Sequence, residues 1–139
     1  MLIEQLLLKQ EEAGGATVAF VASGADITAI DITDSSNMSE LGNYTSANLV
    51  GLAGIDLDIA NNIAYVTGDT RITAIDISDP TSMSEIGSYT SANFDDVRQV
   101  KLDLVNEIAY VASSDDDRLI AVDISTPSTD TIPVTPSTS

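Results

Sequence analysis

The sequence predicts an all-β protein built from short antiparallel strands. Three observations predict it. Runs rich in Val, Ile, Thr, Tyr and Phe are bounded by Gly, Asp, Ser and Pro, which is strand and turn chemistry. The same runs return at a spacing of about 45 residues. Of the 139 residues, 43% are apolar, enough for a core and too many for an acidic disordered tail.

The first segment, residues 1–16, stands outside the repeat. Leu2, Ile3, Leu6 and Leu7 share one helical face, so a helix is the favoured reading, and Ile3–Leu8 as an added strand is the alternative. The segment is not a signal peptide: it has no basic start, and Glu4 interrupts the apolar run. No stretch approaches the ~18 consecutive apolar residues of a spanning helix.

Residues 17–127 carry the repeat. Val18-Ala19-Phe20-Val21 returns as Ile63-Ala64-Tyr65-Val66 and as Ile108-Ala109-Tyr110-Val111. Ile27-Thr28-Ala29-Ile30-Asp31-Ile32 returns as Ile72–Ile77, and then as Leu119–Ile124 after a longer turn at Ser114–Asp117. Tyr44-Thr45-Ser46-Ala47-Asn48 returns unchanged at Tyr89–Asn93. About 20 of 45 positions match between the first two copies, which excludes chance. Within one period, Ile63–Thr67 and Arg71–Ile77 read as a hairpin, with Gly68-Asp69 in the turn. Pro80 then places Ser78–Ser82 in a loop, because proline cannot donate to a central ladder. Glu85–Tyr89 and Val97–Leu104 supply a third and a fourth strand. Four such strands in one period match one blade of a β-propeller. Ile72–Ile77 is apolar on both faces apart from Thr73 and Asp76, as expected of a sheet covered on both sides.

These residues resemble the LVIVD-type repeat. Its A-Y-V-A strand stands here as Ala64-Tyr65-Val66-Thr67 and Ala109-Tyr110-Val111-Ala112. Its L-x-V-I-D-I-S-x-P run stands as Ile72–Pro80 and Leu119–Pro127. The first copy departs at Phe20 and Ser35, where the others have Tyr and Pro. The resemblance implies propeller blades and no particular reaction. Proteins with such repeats are often surface-associated in bacteria and archaea.

Residues 17–127 supply about two and a half blades, whereas closed propellers typically carry about 4–8. The expected fold is therefore propeller-blade repeats left incomplete in one chain and completed by oligomerisation. If residues 3–8 and 131–134 complete the outer blades, a dimer gives six blades. If each chain contributes two blades, a trimer gives six. The Ser/Thr/Pro-rich residues 128–139 read as an extended arm that drapes over a neighbour or stays unstructured.

Charge and missing residue types narrow the function. Five basic against 22 acidic residues give a net charge of −17, which repels nucleic acid and anionic membranes. Without Cys or His there is no thiol nucleophile, no imidazole base and no thiolate or imidazole zinc site. Asp31, Asp76 and Asp123 recur in phase; they could ring a cation, but each is better read as bonding the turn that follows it. Asp115-Asp116-Asp117 lacks the spacing of a calcium loop and reads as a solvated turn, as does Asp95-Asp96. A serine nucleophile would need Lys9 or Lys101 as its base, and neither lies in a recognisable motif. Tyr44 and Tyr89 read as packing rather than sugar-stacking residues.

No residue is therefore assigned to catalysis, to a metal or to a cofactor, and no enzyme activity is expected. The expected function is a structural, self-assembling surface protein, most concretely a bacteriophage capsid decoration (cement) protein on a virion surface. The alternative is an adhesion or ligand-binding propeller module at a bacterial or archaeal cell surface. The expected partners are further copies of the chain and a larger protein assembly such as a capsid.

Overall fold

The computed structural model describes residues 5–10, 16–115, 117–127 and 134–138. They form twelve strands in three four-stranded antiparallel sheets, and no helix long and apolar enough to cross a membrane. Sheet 1 holds β1 (Gln5–Gln10), β2 (Thr17–Ser23), β3 (Asp26–Asp31) and β4 (Ser39–Thr45). Sheet 2 holds β5 (Leu52–Asp58), β6 (Ile63–Gly68), β7 (Arg71–Asp76) and β8 (Ser84–Thr90). Sheet 3 holds β9 (Val97–Asp103), β10 (Ile108–Ser113), β11 (Arg118–Asp123) and β12 (Val134–Thr138). In every sheet the strands lie side by side in chain order, which is the meander of a propeller blade.

The two terminal segments differ from their favoured readings. Gln5–Gln10 is a strand, not a helix, and pairs with β2 from Gln5↔Ala22 to Gln10↔Thr17. The helical spacing of its leucines is outweighed by the free edge of β2, whose backbone donors and acceptors need partners. Val134–Thr138 is likewise not an arm on a neighbour. It pairs with β11 of its own chain, from Val122↔Val134 to Arg118↔Thr138. Pro136 is tolerated there because β12 is an edge strand. The chain thus carries three four-stranded sheets instead of two and a half blades. Three sheets are fewer than the roughly 4–8 blades of a closed propeller.

Strand alternation sends successive side chains to opposite faces. Val18, Phe20, Ala22, Ile27 and Ala29 of sheet 1 meet Ile55, Ala64, Val66 and Ile75 of sheet 2 in one buried core. The opposite face of sheet 2, with Ile63, Tyr65, Ile72, Ala74 and Tyr89, meets Val100, Ala109, Val111, Ile120 and Val122 of sheet 3 in a second. Sheet 2 is therefore apolar on both sides, and each large side chain it buries contributes about 1.5–3 kcal/mol. The sheets come closest through their first strands, β5 against β9 and against β1.

Turns repeat with the same chemistry. Asn62 and Glu107 take positive φ where the first strand turns into the second, and Gly24 and Asp69 do so at the next turn. The fourth strands bulge at Leu41 and at Ile86, one period apart. Each second-to-third-strand hairpin is closed by an equivalent backbone bond, from Ile32 N–H to Thr17, Ile77 N–H to Asn62 and Ile124 N–H to Glu107.

Gly54 of β5 marks a close approach of sheets 2 and 3. A Cβ there would stand 2.6 Å from the Arg98 carbonyl oxygen of β9 and would also meet the Thr67 hydroxyl. Gly54→Val is expected to cost about 1–3 kcal/mol by overpacking, seen as a lower denaturation midpoint in urea at unchanged m. An unchanged midpoint would mean that the sheets are not held this close.

Candidate functional site

The recurring aspartates sit one to a sheet at the end of each third strand. Asp31 accepts the Thr33 N–H at 2.9 Å, Asp76 the Ser78 N–H at 2.8 Å and Asp123 the Ser125 N–H at 2.9 Å. These are Asx turns, and they carry the chain out of the sheet. Asp34 and Asp79 repeat the device three residues later, bonding the N–H and hydroxyl of Ser36 and Thr81. Among the described residues no three Asp or Glu side chains stand where they could share a metal ion. Asp116 lies outside the described residues, and Asp115 and Asp117 are exposed. Asp96 accepts the Arg98 guanidinium at 2.7 Å and the Ser114 hydroxyl at 2.6 Å, so it braces its loop. Tyr89 is buried in the second core and Tyr44 packs against the first. Lys101 is exposed on β9, and the side chain of Lys9 lies outside the described residues.

Other polar groups tie the sheets to one another. The loop after β4 reaches into sheet 2, where Glu85 accepts the Ser46 hydroxyl at 2.9 Å and the Asn48 amide at 2.7 Å. The Asn48 carbonyl in turn accepts Arg71 Nη1 at 2.6 Å. One period on, Asn93 accepts Arg118 Nη1 at 3.1 Å across sheets 2 and 3. Asp56 of β5 accepts the Leu102 N–H of β9 at 2.9 Å. The signal in the sequence was the unchanged Tyr-Thr-Ser-Ala-Asn segment. Its Ser turns the chain, with Ser46 and Ser91 accepting the N–H of Asn48 and Asn93, and its Asn clasps the next sheet's arginine.

A cleft of about 550 Å³ lies at one end of sheets 2 and 3, lined by Asp58, Asn61, Tyr65, Leu104, Glu107 and Ile124 among others. Asp58 is already bonded to the backbone and side-chain N–H groups of Asn61. The Tyr65 hydroxyl is pushed well above its usual range by burial and by the neighbouring Tyr89, Asp58 and Glu107, so it stays protonated. Such a lining offers hydrogen bonds to a ligand.

Three meandering sheets stacked face to face, with their polar groups spent on turns and inter-sheet ties, define a β-propeller-type repeat protein. The chain belongs to the LVIVD repeat family, whose pattern matches residues 18–46, 54–91 and 103–132. No curated protein matches it. Among solved structures it is similar to a functionally unknown protein from Desulfotomaculum acetoxidans DSM 771, with a TM-score of 0.70 and 14% identity. The match covers 95% of this chain and 45% of that one, so the chain spans about half the length of that structure.

Two predictions follow from these bonds. Glu85→Ala leaves Ser46 and Asn48 without their acceptor and is expected to cost about 1–2 kcal/mol by urea titration, the low end for a charged acceptor that is only partly buried. Asp31, Asp34, Asp79, Asp103 and Asp123 are all held below the usual carboxylate range, chiefly by hydrogen bonds from the residues that follow them. A lowered folded pKa gives stability that is complete above the unfolded value of about 3.9 and is lost as pH falls through the folded one. Asp31→Asn with Asp123→Asn keeps an acceptor but removes the titration. Melting temperatures of this double variant should therefore fall less steeply below pH 4 than those of the parent.

Proposed function

We propose that this protein is a structural, non-catalytic surface protein whose work is assembly. One observation carries the reading. The outward faces of sheets 1 and 3 carry Val21, Ile30, Tyr110 and Leu119, whose repeat equivalents are buried between sheets, and these side chains are left partly open in the single chain, on sheet 3 beside exposed Gln99 and Lys101. An apolar face of this kind seeks a cover. Most of the described acidic residues meanwhile occupy turns or exposed positions, which suits an exterior in solvent.

In its most concrete form the protein decorates a virion surface, bridging capsid subunits as a cement protein does. The support for this is a repeat-built body with an acidic exterior and partly open apolar side chains on its two outward sheet faces. A second reading, an adhesion or ligand-binding module of a cell surface, is favoured by the cleft beside Tyr65 and Glu107.

Quantitative peptide mass spectrometry of density-purified particles and of cell envelopes separates the two. Decoration predicts the protein at fixed stoichiometry with the capsid subunit, and particles lacking it that rupture sooner on heating or osmotic shock. Particles free of the protein would overturn that reading, and enrichment in envelopes would support the second.

A further inference from the structure

We propose that the open face of sheet 3 seats on the open face of sheet 1 of a second copy of this chain, and that two chains close one six-sheet ring through two identical joints. The proposal rests on the reading above that the chain works by assembly, and specifies how.

Each open face can be compared with its own repeat equivalents. On sheet 3, Tyr110 and Leu119 are 37% and 49% exposed. Their equivalents on sheet 2, Tyr65 and Ile72, are 1% and 0% exposed against the next sheet. On sheet 1, Met38 is 60% exposed, whereas its equivalent Met83 is 8% exposed against the preceding sheet. Val21, Ile30 and Ile32 are likewise partly open where Val66, Ile75 and Ile77 are buried. Sheet 3 thus ends on the face that, in the two internal junctions, packs on a following sheet. Sheet 1 begins with the face that packs on a preceding one. In these apolar positions the two surfaces are halves of a junction this chain already makes twice; on β9, Gln99 and Lys101 replace the Gly54 and Asp56 of sheet 2, so the joint is wider there.

The direction of that junction decides the geometry. Every internal contact is head to tail, so joining like faces, sheet 3 on sheet 3, would set two forward-packing surfaces together without a match. A head-to-tail contact must close or it propagates into a filament. With three sheets per chain, the only whole number of copies that gives about 4–8 blades is two. A trimer of six blades would need two sheets per chain, and the chain has three.

The charge sets a cost. Each copy brings −17, so pairing works against repulsion that added salt screens. The apolar joint therefore holds more tightly as salt rises.

The test uses the full chain at micromolar concentration in light scattering and native mass spectrometry. The expected mass is twice the 14.5 kDa of one chain, with tighter association in 0.5 M than in ~0.05 M NaCl. Leu119→Lys and Ile30→Lys each make the net charge less negative, so any loss of pairing reflects the joint and not added repulsion. Each alone is expected to abolish the dimer, with far-UV circular dichroism retained. Mixing the two variants leaves one joint with both native faces and is expected to restore a 1:1 heterodimer. A folded monomer of the parent chain overturns the proposal. So does disruption by only one of the two variants, which marks a like-on-like contact, and so does a mixture that stays monomeric. None of these outcomes bears on where the protein is found, so the surface-protein reading stands or falls separately.

Discussion

The contact on which the rest depends is one apolar sheet face laid against the next. Strand alternation makes each sheet two-faced, and in sheet 2 both faces are filled with Ile, Val, Ala and Tyr. A single four-stranded sheet cannot shield two such faces, so no sheet of this chain is a stable object by itself. Stability is shared between neighbours, as in any stacked repeat. The small side chains Ala64, Ala74 and Ala109 permit the close approach, and at Gly54 there is no room for even a Cβ.

Polar groups serve that contact. Aspartates fix the exits from the third strands, and the Asn of each connecting loop clasps a side chain of the sheet it is about to enter. The carboxylate of Asp56 reaches across to the backbone of β9. A chain with so many acids and so few bases would be costly to fold if those acids faced one another in a core. Most sit in turns, where water and backbone N–H groups stabilise their charge. The negative exterior and the apolar interior are therefore two results of one pattern.

Much of this was legible in the sequence because the repeat states each element several times. The hairpin at Ile63–Thr67 and Arg71–Ile77 and the strand at Val97–Leu104 are found within a residue or so of β6, β7 and β9. The ends were harder. Leu2, Ile3, Leu6 and Leu7 satisfy a helical period as well as a strand, and what decides over Gln5–Gln10 is the free edge of β2, a neighbour in space that the local period does not reveal. Residues 134–138 have loop-like composition, and only pairing with β11 reveals a strand. The inter-sheet clasp was visible as identity at Tyr44–Asn48 and Tyr89–Asn93. Its chemistry was not, because the partners Glu85 and Arg118 belong to the following sheets.

The outward faces of sheets 1 and 3 are the unfinished part of this design, and Tyr110 reports on one of them directly. Acetylation of tyrosines by N-acetylimidazole, located by peptide mass spectrometry over a dilution series, measures its cover. If the sheet face is the governing contact, Tyr110 resists labelling as Tyr65 does at micromolar concentration and becomes reactive on dilution. Labelling of Tyr110 at full rate at every concentration, with Tyr65 still protected, would contradict the account.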